Sequence, residues 1–220
     1  MTIGLMGAMA EEIRLIVDRV ALSRTEERLK RTFYLGSIAG HDVVVVHSGV
    51  GKVKAAARAQ FLIERFGVDR VIFAGTAGAL NPELRVGDIV VSSRALEWDF
   101  ELLGGRPRWY EAAPDLVALA VEAGEKLGKT VRVGTVLTGD QPVLKLARKQ
   151  QLRETFGGDC VEMEGGAVAH VCWMNGVPFV LVRVISDLAD ETMLQDFVGS
   201  FAEIAPVAAE VVVEMLHQFP

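Results

Sequence analysis

The sequence predicts an α/β protein, a three-layer αβα sandwich with a mixed central sheet. Three observations carry this reading. Short apolar, β-branched runs alternate with helical patterns along the whole chain, as expected for helices covering both faces of a sheet. An early hairpin, with residues 31–38 and 41–47 flanking Ala39-Gly40, breaks a purely parallel order. Several strands end in glycine-rich or polar turns, where α/β sheets collect their ligands.

Residues 2–8 form an apolar run that reads as a buried first strand. Residues 10–20 read as a helix, with Ile13, Leu15, Ile16 and Val20 inward and acids in the first turn, where they complement the helix dipole. The hairpin follows, and then an Ala-rich helix over 51–66. A strand over 70–74 ends in Gly75-Thr76-Ala77-Gly78, and another occupies 88–92. The stretch 98–114, rich in Gly, Pro and Trp, reads as a long loop of the kind that covers a site. Residues 114–127 are helical, and 130–137 form a strand ending in Thr138-Gly139-Asp140. Helices are expected over 144–156 and 165–175, and a strand over 178–185 that runs into Ser186-Asp187. A long helical stretch over 194–218 closes the chain, with a break expected near Pro206.

At 220 residues, half of them hydrophobic, the chain suits one domain, taken as residues 1–220. A net charge of −6 with only 23 Lys and Arg argues against a nucleic-acid surface. Two cysteines without a CxxC pair fit a reducing cytoplasm rather than a disulfide framework. No signal peptide and no membrane span are expected, because the apolar runs are strand-length.

The chemistry-bearing candidates are acidic. Glu162-Met163-Glu164 lies at a strand-to-helix junction, Glu11-Glu12 follows the first strand, and Asp187 ends a buried strand. Buried carboxylates are costly unless used or paired. Each has a plainer reading as a helix first-turn acid or an N-cap. Three acids at three strand ends make a structural explanation for all of them less economical. Ser48-Gly49-Val50-Gly51-Lys52 falls short of a Walker A loop, because Val53 follows the lysine. It reads as a tight turn at a helix N-terminus near a ligand. Lys54 likewise spoils a GxGxxG match. His41, His47, His170 and His217 have no metal spacing, and no GxSxG elbow exists. Cys160 and Cys172 read as small buried fillers. No metal or cofactor is expected.

These residues carry a family resemblance. The opening Ile3-Gly4-Leu5-Met6-Gly7-Ala8-Met9-Ala10-Glu11-Glu12, the Ser48–Val53 turn, Gly75-Thr76-Ala77-Gly78 and Val86-Gly87-Asp88-Ile89 resemble bacterial 5′-methylthioadenosine/S-adenosylhomocysteine nucleosidases. Val161-Glu162-Met163-Glu164, Ala169-His170-Val171-Cys172 and Arg183-Val184-Ile185-Ser186-Asp187 are the strongest matches. The motifs come in family order across nearly the whole chain. They point to the purine and uridine phosphorylase superfamily, and within it to the nucleosidase branch.

The resemblance implies a nucleoside phosphorylase-like fold and hydrolysis of a purine N-ribosidic bond by water, through an oxocarbenium-like transition state. It implies that Asp187 protonates the purine at N7, that Glu12 activates the water, and that Glu164 binds the ribose hydroxyls. Thr76, Ala77, Gly78, Val143, Glu162, Met163, Glu164, Ser186 and Phe197 are the expected substrate contacts. Among them Met163 lies against the ribose and Phe197 closes over the base and the 5′ side. Glu162 is expected to face the other way along its strand, in a structural role, and Arg183 to orient the acids. The implied substrates are 5′-methylthioadenosine and S-adenosylhomocysteine, the implied pathway is methionine salvage, and the implied assembly is a homodimer. Phosphorylases of the superfamily carry arginines in two phosphate-binding segments. Here Gly7–Glu12 and Phe73–Thr76 contain none, which favours hydrolysis.

Two departures bear on the substrate. Gly139-Asp140 is followed by Gln141-Pro142-Val143, without the aromatic that stacks on adenine in close relatives. Trp98-Asp99-Phe100-Glu101 replaces the usual His-Asp-Ala-Asp run, ahead of a shorter loop through Trp109 and Tyr110. The 5′ group could therefore differ, as in futalosine-type nucleosidases of menaquinone synthesis. A phosphorylase and a non-catalytic nucleoside-binding protein are the remaining alternatives.

Overall fold

The computed structural model describes residues 1–100, 107–190 and 193–219, with side chains for all of these but 193–200. The chain begins with β1 (Thr2–Gly7) and α1 (Ala10–Arg19), then β2 (Ala21–Arg28), β3 (Arg31–Ile38) and β4 (His41–His47). Next come α2 (Lys52–Phe66), β5 (Arg70–Ala79), β6 (Ile89–Glu97) and β7 (Trp109–Glu111). They are followed by α3 (Pro114–Lys126), β8 (Val131–Thr138), α4 (Leu146–Phe156) and β9 (Cys160–Glu162). Last are α5 (Gly165–Asn175), β10 (Phe179–Asp187) and α6 (Met193–Gln218).

The strands form one ten-stranded mixed sheet in the order β10-β6-β8-β9-β5-β1-β4-β3-β2, with β7 on β6. β10 also pairs with β5, so β5, β9, β8, β6 and β10 close into a ring. β1, β4, β5 and β10 run parallel, which brings their C-terminal ends to one edge.

Two apolar layers hold helices on the sheet. On one face Val44, Val46 and Phe73 meet Ala55 and Leu62 of α2 and Val168 and Cys172 of α5. On the other face Leu5, Val45 and Ile72 meet Ile13 and Ile16 of α1, Leu116 of α3 and Val212 and Met215 of α6. Each buried Leu or Ile contributes about 1.5–3 kcal/mol relative to exposure. This is the three-layer sandwich read from the sequence.

The structure corrects several boundaries. The strand expected at 88–92 runs on to Glu97, and the 98–114 stretch is not all loop, since Trp109–Glu111 pairs antiparallel with β6; residues 101–106 of that stretch lie outside the described residues. β5 continues through Gly75-Thr76-Ala77-Gly78 rather than stopping at residue 74. β2 is an additional edge strand. α6 continues through Pro206, with no break in the helix there.

Candidate active site

A cavity of about 310 Å³ opens where β1, β5, β9 and β10 end. Its walls include Glu12, Thr76, Ala77, Gly78, Val143 and Glu162, together with Met163, Glu164, Arg183, Ser186 and Asp187. Eleven of the twelve residues named from the sequence and the resemblance as site residues, Arg183 among them, therefore line one cavity. The side chain of Phe197 lies outside those described.

Glu12 is 1% exposed, on the first turn of α1. One carboxylate oxygen accepts the N–H groups of Ala8 (2.8 Å) and Met9 (3.0 Å). The other accepts the N–H (2.9 Å) and hydroxyl (3.1 Å) of Thr76. The plain reading of Glu11-Glu12 thus divides between the two residues. Glu11 is exposed, while Glu12 spans from α1 to β5. Four donors fix its orientation, and charge-assisted bonds of this kind are strong.

Glycines let this cluster close. A Cβ on Gly75 would lie 2.5 Å from an Arg183 nitrogen and 3.1 Å from Glu12 Oε1. A Cβ on Gly78 would lie 2.7 Å from Asp187 Oδ1. The Gly75-Thr76-Ala77-Gly78 motif is therefore a strand kept bare so that acids from α1 and β10 can lie against it.

Glu162 does not turn away from the site. It lines the cavity, with its carboxylate taken up by protein donors. Oε2 accepts Glu164 N–H (3.0 Å), Gly165 N–H (2.7 Å) and Arg183 Nη2 (2.9 Å), and Oε1 accepts the Thr138 hydroxyl. Glu162, not Glu164, therefore caps the start of α5, where free N–H groups favour an anion. Arg183 is 1% exposed, and its guanidinium lies 4.2 Å from the Phe73 ring centre. The Arg183–Glu162 ion pair (2.9 Å) joins the middle of β10 to the end of β9.

Glu164 is 6% exposed, and one of its oxygens accepts Gly51 N–H at 2.7 Å. Burial, and then the charge of Glu162, push its carboxyl up to about 8, against the pull of Gly51 N–H and Arg183. A group poised there can change protonation state near neutral pH. Asp187 is 4% exposed. Its oxygens accept the Ser186 hydroxyl (2.7 Å) and Ala189 N–H (2.9 Å). The latter bond closes a local turn rather than capping a helix, since residues 188–190 are not helical.

The other walls are aliphatic. Ala8, Met9, Val50, Pro142, Val143, Val161 and Ala189 line the cavity, and no aromatic side chain among the described residues does. Several of these wall residues, and Gly51 as the donor to Glu164, were not legible as site residues beforehand. The turn at 48–52 was the one available signal. Cys160 and Cys172 are buried free thiols away from the cavity, and burial pushes Cys172 up to about 12. Among the described residues no cluster of His, Cys, Asp and Glu could hold a metal.

The phosphorylase superfamily family model matches residues 2–217. The chain is 35% identical to the 5′-methylthioadenosine/S-adenosylhomocysteine nucleosidase of Colwellia psychrerythraea, covering 99% of this chain and 96% of that one. The chain belongs to this nucleosidase family, within the phosphorylase superfamily. Another nucleosidase, the aminodeoxyfutalosine nucleosidase of Campylobacter jejuni, is 32% identical, over 99% of both chains. A Helicobacter pylori nucleosidase mutant, solved with 5′-methylthioadenosine in its active site, superposes with a TM-score of 0.94 at 31% identity, over 99% of both chains.

Proposed function

We propose that this chain hydrolyses the N-ribosidic bond of 5′-modified adenine nucleosides, with 5′-methylthioadenosine and S-adenosylhomocysteine as substrates. Adenine and the 5′-modified ribose are the products. One observation carries the reading: Glu12, Glu164 and Asp187, all buried, converge on one largely aliphatic cavity. In this reading Asp187 delivers a proton to purine N7 as the glycosidic bond breaks, and the base leaves neutral. Glu12, held by four donors, takes a proton from the water that adds to the ribose C1′. Glu164 accepts the ribose hydroxyls, and positive charge developing on the sugar favours its ionised form, which offsets that charge. Met163 packs against the ribose, and Ala77, Gly78 and Val143 bound the base. Water rather than phosphate is favoured because the one cation among the described cavity residues, Arg183, is committed to Glu162. A phosphate dianion would also meet two buried glutamates.

A second reading, a futalosine-type nucleosidase, has support from the C. jejuni relative and from the absence of an aromatic on the described cavity walls. Purified protein incubated with 5′-methylthioadenosine, S-adenosylhomocysteine and aminodeoxyfutalosine, with and without phosphate, separates the readings. Phosphate-dependent formation of a ribose 1-phosphate would overturn hydrolysis. Binding without base release across the panel would indicate a non-catalytic binder. The reading extends to methionine salvage in the cytoplasm, which two buried free thiols suit. It also extends to a homodimer, for which Val53 of α2 and Trp173 and Met174 of α5, all exposed on neighbouring helices, offer an apolar face.

A further inference from the structure

Lys52 opens α2 at the positive end of the helix dipole, where a cation is disfavoured, and no acid occupies that first turn. Its compensation comes from elsewhere. The ammonium lies 2.6 Å from Asp99, 3.5 Å from Glu97 and 3.6 Å from Asp140, and the side chain is only 12% exposed. Burial works against its charge, but Asp99, then Glu97 and Asp140, carry its pKa above the ordinary value. The acids are tied further. Asp99 also accepts Asp140 N–H at 2.7 Å, and Glu97 meets His170 Nδ1 at 3.0 Å.

Neither Lys52 nor any of its three acids lines the cavity, yet the cluster is tied to segments that do. Gly51, one residue before Lys52, donates to Glu164. Val50 forms wall. Asp140 leads into Gln141-Pro142-Val143, and Thr138, two residues earlier, donates to Glu162. Glu97 lies against Gly166 at the start of α5, 3.1 Å from where a Cβ would stand.

We propose that Lys52 is a positioning residue for the nucleoside cavity. By gathering Glu97, Asp99 and Asp140 it holds Gly51 N–H on Glu164 and the 141–143 segment against the cavity wall. The inference rests on the nucleosidase reading for its kinetic part alone. Glu164 faces Glu162 from β9, Arg183 from β10, Glu12 from α1 and Gly51 N–H from the turn before α2. Of these contacts, the Gly51 N–H bond is the one made by the immediate chain neighbour of Lys52. Slackening that bond removes a donor that stabilises the ionised form, so the Glu164 midpoint must rise. An ion pair that merely stabilised the fold would change melting temperature and leave that titration where it was.

The test compares Lys52→Met, Lys52→Arg and Asp99→Asn, each first shown by thermal melting to be folded under assay conditions. Glu164 is titrated by NMR of carboxyl-labelled glutamate, assigned with Glu164→Gln. Kinetics follow on whichever nucleoside the wild type turns over. In Lys52→Met the Glu164 midpoint should rise by about half a unit or more. KM should rise about tenfold, with kcat changed less. Lys52→Arg should restore both, and Asp99→Asn should follow Lys52→Met. Asp99→Asn alone carries the test if Lys52→Met does not fold. A wild-type Glu164 midpoint in the folded variants overturns the proposal. Failure of the wild-type protein to release base from any nucleoside would instead defeat the nucleosidase reading, and the NMR comparison would still decide the role of Lys52.

Discussion

At the scale of single residues, the proposed reaction assigns three tasks to three carboxylates with different surroundings. Asp187→Asn keeps the shape but removes the acid, so base release should fall about 10²- to 10⁴-fold. Near-normal release, followed by adenine formation, would remove Asp187 from the mechanism. Glu12→Gln should lower kcat to a similar extent while nucleoside binding, read by calorimetry, is largely kept. Glu164 makes a prediction that needs no substrate. Its folded pKa of about 8 lies above the ordinary 4.5, so between those values the folded state holds a proton that the unfolded state has lost. Its contribution to stability therefore falls as pH rises through that window. In Glu164→Gln, the urea midpoint measured across the same window should decline less steeply with pH than in the wild type. Much at this scale was legible in the sequence, because strand-end acids beside glycines are conspicuous. The donors were not. Thr138 stands 24 residues from Glu162, and Gly51 stands 113 from Glu164. A backbone N–H also has no residue type to reveal it.

At the scale of elements, the site depends on how strands and helix ends are seated. Glu162 caps α5 and pairs with Arg183, so Arg183→Met leaves a buried carboxylate without its cation. Such a change costs about 3–5 kcal/mol, readable as a shift in the denaturant midpoint. The turn after β8 is as tightly fitted: a Cβ on Gly139 would lie 2.4 Å from the Trp98 indole nitrogen. Gly139→Ala should displace Trp98 and cost about 1–3 kcal/mol. An unchanged melting temperature would show that the indole has room to move. Apolar strands such as β1, β4 and β10 were legible because they are buried on both faces and read as continuous apolar runs. β2 was not, since ALSRTEER is almost wholly exposed and is a strand only by virtue of pairing with β3. β7 was hidden for a similar reason, being three residues that pair with a β6 longer than its apolar part suggested.

At the scale of the whole molecule, the cavity is where distant parts of the chain meet, and an apolar face stands apart from it. If the exposed Trp173 and Met174 are covered by a second copy, Trp173→Glu should shift the sedimentation coefficient from dimer to monomer. A wild type that sediments as a monomer at micromolar concentration would refute that face as an interface. The sandwich itself was legible from alternation of elements, but the closed ring of strands was not, because closure depends on β10 pairing with both β5 and β6. That closure has a consequence for synthesis. β10 is the last strand made, and it joins Phe179 to Val71, more than a hundred positions earlier. Until it is inserted, β5 and β6 present unpaired edges, and neither Arg183 nor Asp187 has arrived. A nascent chain lacking that strand would be both inactive and open to aggregation, and a requirement for such distant pairing slows folding.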